Sequence, residues 1–212
     1  PSIEVVHNGI DLGFFYPSDK PYEDYKILSI ASSDVPMKGL DFMIKAFPEI
    51  KKNYPKAKLS VLGKIREEGH TERLINSLDL KDDINFVSDL SHSELREQYC
   101  SSHVVVIPSL YEGFGFAAAE AMACGVPPVV SDGGSLKEIV GEAGKVIIPG
   151  DENAIVDAVN ELFSCEDLRK NMAAKGISRV KDKFTWHNAA LKLENIYHEM
   201  IENHANNKYS KT

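Results

Sequence analysis

Residues 104–125 read VVVIPSLYEGFGFAAAEAMACG, and this stretch decides the fold class that the sequence predicts. The β-branched run at 104–107 predicts a strand that is buried on both faces. Gly113 and Gly115 then predict a tight turn, and the alanine-rich run at 116–124 predicts a helix. A buried strand, a glycine turn and a helix in direct succession are typical of a parallel sheet covered by helices.

The same order of strand and helix recurs on both sides of this stretch. Short apolar runs predict strands at 27–30, 58–62, 84–87, 104–107, 128–131 and 145–148. Helical spacing of apolar residues predicts helices at 40–52, 68–78, 93–101 and 116–124. We therefore expect an α/β fold, a Rossmann-like doubly wound parallel sheet of about six strands, with ligands bound at the carboxyl ends of the strands.

The two ends of the chain differ in composition from the part between them. Residues 1–25, rich in Pro, Asp and Tyr, are predicted to be a linker and interdomain segment. Residues 26–184 are predicted to form the Rossmann-like domain, which ends with helices at 152–163 and 167–182. Residues 185–212 are predicted to be a C-terminal helix anchored by Trp186, with a polar tail.

The composition excludes several classes of protein. The formal net charge is −8 and no stripe of lysine or arginine is present, which argues against nucleic-acid binding. The apolar runs are far too short for a membrane span, and no secretory signal opens the sequence. Three scattered cysteines suggest reduced thiols and a cytoplasmic setting. His-x-x-x-His and Asp-x-Asp spacings are missing, so we expect no metal site, and we expect no cofactor.

The turn between Glu112 and Phe116 is a candidate anion site. Glycine lets the backbone approach a ligand, and the first turn of the next helix presents N–H groups at its positive end. Phosphate is the common occupant of such a site. Glu112 and Glu120 are too far apart to share a proton, but they can bracket an extended polar ligand. From spacing alone, a plain strand–helix turn and a solvated glutamate explain the pattern more often.

Several motifs, taken in order, resemble those of a known enzyme family. Glu112 and Glu120 resemble the E-x7-E signature of the retaining glycosyltransferases of family 4, which have the GT-B fold and fall within glycosyl transferases group 1. The other motifs follow in the family's order: Asn8-Gly9-Ile10-Asp11, Lys38-Gly39-Leu40, Gly133-Gly134 with Glu138, and Phe184-Thr185-Trp186. The chain is thus similar to the C-terminal, donor-binding domain of such an enzyme.

The resemblance implies that the donor substrate is a nucleotide-diphosphate sugar. In the family, the residue matching Glu112 contacts hydroxyl groups of the sugar, and the residue matching Glu120 contacts the nucleotide ribose. The lysine matching Lys38 neutralises the diphosphate. Backbone N–H groups that face the sugar and the diphosphate match Phe114, Gly115 and Phe116, and Gly113 is predicted to bind the substrate with them.

Ser32 and Ser33 lie where the family has a second cation, an arginine a few residues before the lysine. A hydroxyl group can donate a hydrogen bond to phosphate but brings no charge. We therefore expect these serines to bind the donor weakly, or another group to supply the charge. Gly63 is expected to line the cleft and Leu90 to meet the base, although a plain turn and a loop anchor explain these two residues about as well.

The implied reaction is metal-independent transfer of a sugar to an unknown acceptor with retention of configuration. Glu112 and Lys38 are the predicted catalytic residues. We favour a front-face mechanism, and Glu112 as a covalent nucleophile is the second choice. The implied partners are the nucleotide sugar, an N-terminal domain of the same enzyme and, for the full enzyme, peripheral contact with a membrane. This chain alone is expected to be inactive.

Two other kinds of function remain open at this point. One is a different activity on a related fold, such as a nucleotide-sugar epimerase or a phosphorylase. The other is a non-catalytic nucleotide-binding or interaction module of GT-B ancestry, which the serines at 32 and 33 would fit.

Overall fold

The structure is a computed structural model that describes residues 3–20, 22–31 and 34–209, with side chains through residue 202. Within these ranges the chain forms six strands: β1 (Lys26–Ile30), β2 (Lys58–Leu62), β3 (Ile84–Val87), β4 (Val104–Ile107), β5 (Pro128–Ser131) and β6 (Lys145–Ile147). The α-helices are α1 (Leu40–Asn53), α2 (His70–Ser77), α3 (His92–Cys100), α4 (Phe116–Ala123), α5 (Leu136–Val140), α6 (Glu152–Ser164), α7 (Glu166–Lys183) and α8 (Trp186–Tyr209). Short 3₁₀ turns cover Pro36–Lys38 and Gly141–Ala143.

The six strands form one parallel sheet with the order β3-β2-β1-β4-β5-β6. The order reverses between β1 and β4, which pair with Ile27 opposite Val104 and Ser29 opposite Val106. Helix α1, which follows β1, and helix α4, which follows β4, pack on opposite faces of the sheet. A crevice therefore opens between the carboxyl ends of these two strands, the usual place for a ligand. The predicted fold class is confirmed.

Alternate residues of the central strands face two separate cores. Ile27, Val104 and Val106 pack with α1 and α6 on one face. Leu28 and Val105 pack with α4 and α5 on the other. Both faces of β4 are covered, which explains why its sequence is an unbroken β-branched run. The helices on the two faces fix where the loops at the carboxyl edge begin and end.

The N-terminal segment packs against the domain where α8 begins. The backbone N–H of Ile10 donates to the Phe184 carbonyl oxygen at 2.7 Å, and Ile10 pairs with Thr185 in a parallel bridge. Phe184 is 1% exposed and lies in the same core as Phe15, whereas Trp186 is 55% exposed. The expectation that Trp186 anchors the helix is wrong, because Phe184 fills the buried position. In the described part of the chain, no helix is both long enough and apolar enough to cross a bilayer.

Candidate functional site

Lys38 and Glu112 meet at the crevice between β1 and β4. Lys38 ends the 3₁₀ turn that follows β1, and Glu112 lies in the loop between β4 and α4. The Nζ atom of Lys38 is 2.8 Å from Oε2 of Glu112. The Lys38 side chain is 40% exposed and the Glu112 side chain is 23% exposed. The two predicted catalytic residues therefore form an ion pair that a ligand can reach from solvent.

The loops that carry this pair touch each other through main-chain atoms. The N–H of Leu110 donates to the Met37 carbonyl oxygen at 2.8 Å. Gly39 has a φ of +67° and lies so close to β4 that a β-carbon on it would be 2.0 Å from the Pro108 carbonyl oxygen. Only glycine fits both this conformation and this approach. Gly39 thus lets the turn that carries Lys38 reach the end of β4.

A second glycine contact holds Glu112 from the other side. Gly134 pairs with Glu112 in a parallel bridge, has a φ of +69°, and would place a β-carbon 2.3 Å from the Glu112 carbonyl oxygen. The same oxygen accepts hydrogen bonds from the N–H of Ser135 at 3.0 Å and from its hydroxyl group at 3.1 Å. The glycine pair after β5 therefore fixes the backbone of Glu112, and the side chain is left to face Lys38.

The N-terminus of α4 lies next to this pair. Gly115 is its N-cap with a φ of +90°, and no side chain of the described residues caps this end. The Ala118 N–H donates to the Gly115 carbonyl oxygen at 3.0 Å, so the N–H groups of Phe116 and Ala117 are the ones left for solvent or a ligand. At Gly113, a β-carbon would meet no atom of the described chain within 4 Å. Phe114 and Phe116 flank the cap, with their rings edge to face at 4.8 Å.

Glu120 lies further along α4 and has a different partner. The Tyr99 hydroxyl group donates to its Oε2 atom at 2.7 Å, and Tyr99 is 1% exposed. Burial raises the pKa of Glu120, and the hydrogen bond from Tyr99 partly offsets this effect. Burial and the Glu120 charge raise the pKa of Tyr99 well above its usual value, so the phenol keeps its proton and acts as the donor. Glu112 and Glu120 thus have separate environments.

The other predicted site residues lie elsewhere along the same edge of the sheet. Gly63 follows β2, and Leu90 lies between β3 and α3, so both are beyond β1 from the ion pair. Their contacts with a ligand stay predictions. Ser32 and Ser33 lie outside the described residues. Among the residues that are described, no group of three or more His, Cys, Asp or Glu side chains is arranged to hold a metal ion.

Sequence reasoning missed Asp34, which ties the loop after β1 to the start of α2. Its carboxylate accepts a hydrogen bond from the Thr71 N–H at 3.0 Å, and its own N–H donates to the Thr71 hydroxyl oxygen at 3.1 Å. The backbone N–H of Thr71 has the largest effect in lowering the pKa of Asp34. Tyr99 and Ser135 were also missed. Only the position of Ser135, directly after a glycine pair, offered a signal in the sequence.

Comparisons of sequence and fold with known proteins identify the family. The family model described as glycosyl transferases group 1 matches residues 16–179. The chain belongs to the group 1 glycosyltransferases. It is 32% identical over 202 residues to the MMP α-(1→4)-mannosyltransferase of Mycolicibacterium hassiacum, and this match covers 94% of the chain and 49% of that relative. The chain spans about half the length of the curated relatives it matches.

Solved glycosyltransferase structures have the same fold. Sucrose-phosphate synthase from Thermosynechococcus elongatus is 28% identical with a TM-score of 0.82, and the match covers 94% of this chain and 53% of that one. The C-terminal domain of a glycosyl transferase group 1 family protein from Francisella tularensis is 25% identical with a TM-score of 0.74, covering 84% of this chain and 100% of that one. The predicted GT-B relationship is confirmed for group 1, and the assignment to family 4 stays a prediction.

Proposed function

We propose that this group 1 glycosyltransferase chain binds a nucleotide-diphosphate sugar, from which the enzyme transfers the sugar to an acceptor with retention of configuration. The observation that carries the proposal is the Lys38–Glu112 pair, held at the crevice beside the N-terminus of α4. An ammonium group and a helix N-terminus both favour a diphosphate. A carboxylate accepts hydrogen bonds from sugar hydroxyl groups. The pair therefore offers one partner to each half of the donor.

Donor binding would exchange one set of contacts for another. The charge of Lys38 is balanced by Glu112 at 2.8 Å. A bound donor would take Lys38 onto its diphosphate and Glu112 onto its sugar. As the bond to the sugar breaks, negative charge grows on the leaving diphosphate, and Lys38 with the first-turn N–H groups of α4 would stabilise it. We propose that Lys38 and these N–H groups serve in place of a metal ion.

Calorimetric titration of the chain tests the proposal. We expect heat of binding with UDP or GDP and with a sugar nucleotide of the same base, and none with free mannose or glucose. GDP-mannose and UDP-glucose are the first two sugar nucleotides to test, because they cover both bases. Absence of binding by every nucleoside diphosphate at millimolar concentration would rule out the donor-binding role.

A pair of lysine variants makes the test specific to the site. Lys38→Met should weaken binding of nucleoside diphosphates strongly, because it removes the charge at the crevice. Lys175→Met is the matched control, since the Lys175 side chain has a similar exposure of 49% but pairs with Glu142 at 3.0 Å, in the turn that precedes β6 at the opposite edge of the sheet. Equal losses in both variants would show that the effect is general electrostatics.

Helix α8 supports a further part of the proposal, a partner domain. Leu193, Tyr197 and Ile201 follow one another at helical spacing and are 40%, 56% and 66% exposed. We propose that this face contacts the part of the enzyme that corresponds to the uncovered half of the relatives. The chain alone should then bind donor and transfer no sugar. We also propose a cytoplasmic location. The three cysteines form no disulfide bond, which agrees with a reducing compartment.

A further inference from the structure

Tyr99 carries a hydroxyl group that the packing of its ring does not require. The ring is buried among apolar residues and makes an edge contact with Phe15, with centroids 6.0 Å apart. A phenylalanine ring would fill the same space. A buried hydroxyl group costs free energy unless it has a hydrogen-bond partner, and the partner here is Oε2 of Glu120 at 2.7 Å.

This hydrogen bond constrains the Glu120 carboxylate in two ways. It fixes the orientation of the group, because one oxygen is held by a side chain of a neighbouring helix that is itself fully buried. It also favours the charged form, against the burial that favours the neutral acid. A charged, oriented carboxylate accepts hydrogen bonds at both oxygens, whereas a neutral acid is a weaker acceptor.

We infer that Tyr99 is a positioning residue for the donor, which holds the Glu120 carboxylate oriented and ionised so that it accepts hydrogen bonds from the hydroxyl groups of a nucleotide ribose. The inference rests on the proposed function, in which Glu120 meets the ribose. Tyr99 itself, buried behind Glu120, touches no part of the ligand.

The inference makes a pH prediction with a definite sign. Removing the Tyr99 hydroxyl group should raise the pKa of Glu120 further, because burial is then unopposed. Nucleotide affinity is complete above this pKa and is lost as the pH falls through it. In the Tyr99→Phe variant the loss should therefore begin at a higher pH than in the unmodified chain.

Other charged or titratable groups near this part of α4 add their own pH dependence to the measured nucleotide affinity, and the experiment must control for them. Helix α5 contributes apolar residues to the contact with α4. The charged or titratable side chains are Arg96 and Cys100 of α3 and Cys124 after α4. A cavity of about 210 Å³ next to Cys124 is also lined by Lys20, by His103 and by three residues of α7, namely Glu166, Arg169 and Lys170. The Cys124 thiol, with a smaller effect of Arg96, lowers the pKa of Cys100 to about 7. The profiles should therefore be measured with Cys100→Ser in every protein that is compared.

The experiment compares two ligands on two variants from pH 5 to pH 8. Tyr99→Phe should weaken UDP or GDP by about three- to tenfold at neutral pH and by more at acid pH. Inorganic pyrophosphate lacks a ribose and should bind equally well with or without the hydroxyl group, which also reports an intact fold. Tyr54→Phe is the matched control, because the Tyr54 hydroxyl group bonds to the Asn160 carbonyl oxygen, away from Glu120.

Glu120→Gln supplies the second variant. It should remove most of the pH dependence, and adding Tyr99→Phe to it should change nucleotide affinity little, because both act through one group. Additive losses, an unshifted pH profile in Tyr99→Phe, or an equal loss of pyrophosphate binding would overturn the inference while the proposed function stands. Failure of the unmodified chain to bind any nucleotide would overturn the proposed function, and this inference with it.

Discussion

Neutralising Glu112 should tighten the binding of a nucleotide but not that of a nucleotide sugar. Glu112→Gln keeps the shape of the side chain and removes its charge, so Lys38 loses the carboxylate that it pairs with. A bare nucleoside diphosphate then meets an unbalanced ammonium group and no nearby carboxylate. Its affinity should rise, although a residue of the site has been altered.

The expected size of this gain follows from the geometry of the pair. At the observed separation of 2.8 Å, the Coulomb energy in water is about 1.5 kcal/mol. Both side chains are partly exposed, at 40% and 23%, and exposed pairs contribute only about 0.2–1 kcal/mol when measured. We therefore expect UDP or GDP to bind about 1.5- to fivefold more tightly. The gain should shrink as the salt concentration rises.

A nucleotide sugar should respond differently, because it also uses Glu112 as a hydrogen-bond acceptor. Hydrogen bonds to charged groups contribute about 1.5–3 kcal/mol and neutral ones about 1 kcal/mol. The advantage of the nucleotide sugar over the bare nucleotide should thus fall by about fivefold. Calorimetry with both ligands at low and high salt measures both effects, and Glu120→Gln is the control that should tighten neither. Weaker binding of bare UDP and GDP by Glu112→Gln, with an unchanged melting temperature, would refute the reasoning.

Two glycines near the pair, and the serines at 32 and 33, give three more predictions. Gly134→Ala should lower the free energy of unfolding by about 1–3 kcal/mol, as denaturant unfolding would measure, because the new methyl group meets the Glu112 carbonyl oxygen at 2.3 Å. Gly113→Ala should leave stability unchanged but weaken sugar-nucleotide binding, and unchanged affinity would mean that no ligand approaches there. Ser32→Arg or Ser33→Arg should tighten UDP or GDP about tenfold at low salt. No gain in either would indicate that another group already contacts the phosphate.

The main features of the fold could be predicted because the residue pattern within one strand indicates which of its faces are buried. The β-branched run of β4 shows no alternation of apolar and polar residues, and this pattern indicates a strand that is buried on both faces. The glycine turn and the alanine-rich helix that follow predicted where the ligand crevice lies and which two glutamates border it. Helix α5 was missed because its five residues make less than two turns, too few for a period to appear.

The features of the site that the sequence did not predict depend on contacts between residues far apart in the chain. Tyr99 is a plausible core residue by its spacing, and nothing near it in sequence indicates that Glu120 would accept its hydrogen bond. The ion pair of Lys38 with Glu112 needed the strand order, which places β1 beside β4. The resemblance to the family supplied both residues, but not the contact between them.

The close approach of the three loops at the carboxyl edge has a consequence for how this enzyme could change its substrate. The loops after β1, β4 and β5 meet through carbonyl oxygens and glycine α-carbons at Gly39 and Gly134, so their path does not depend on the identity of the larger side chains. Tyr111 and Phe116 are 62% and 44% exposed and take no part in these main-chain contacts. Libraries randomised at these two positions should therefore yield stable proteins with an altered preference for the proposed sugar donor, whereas libraries at the two glycines should yield mostly destabilised ones.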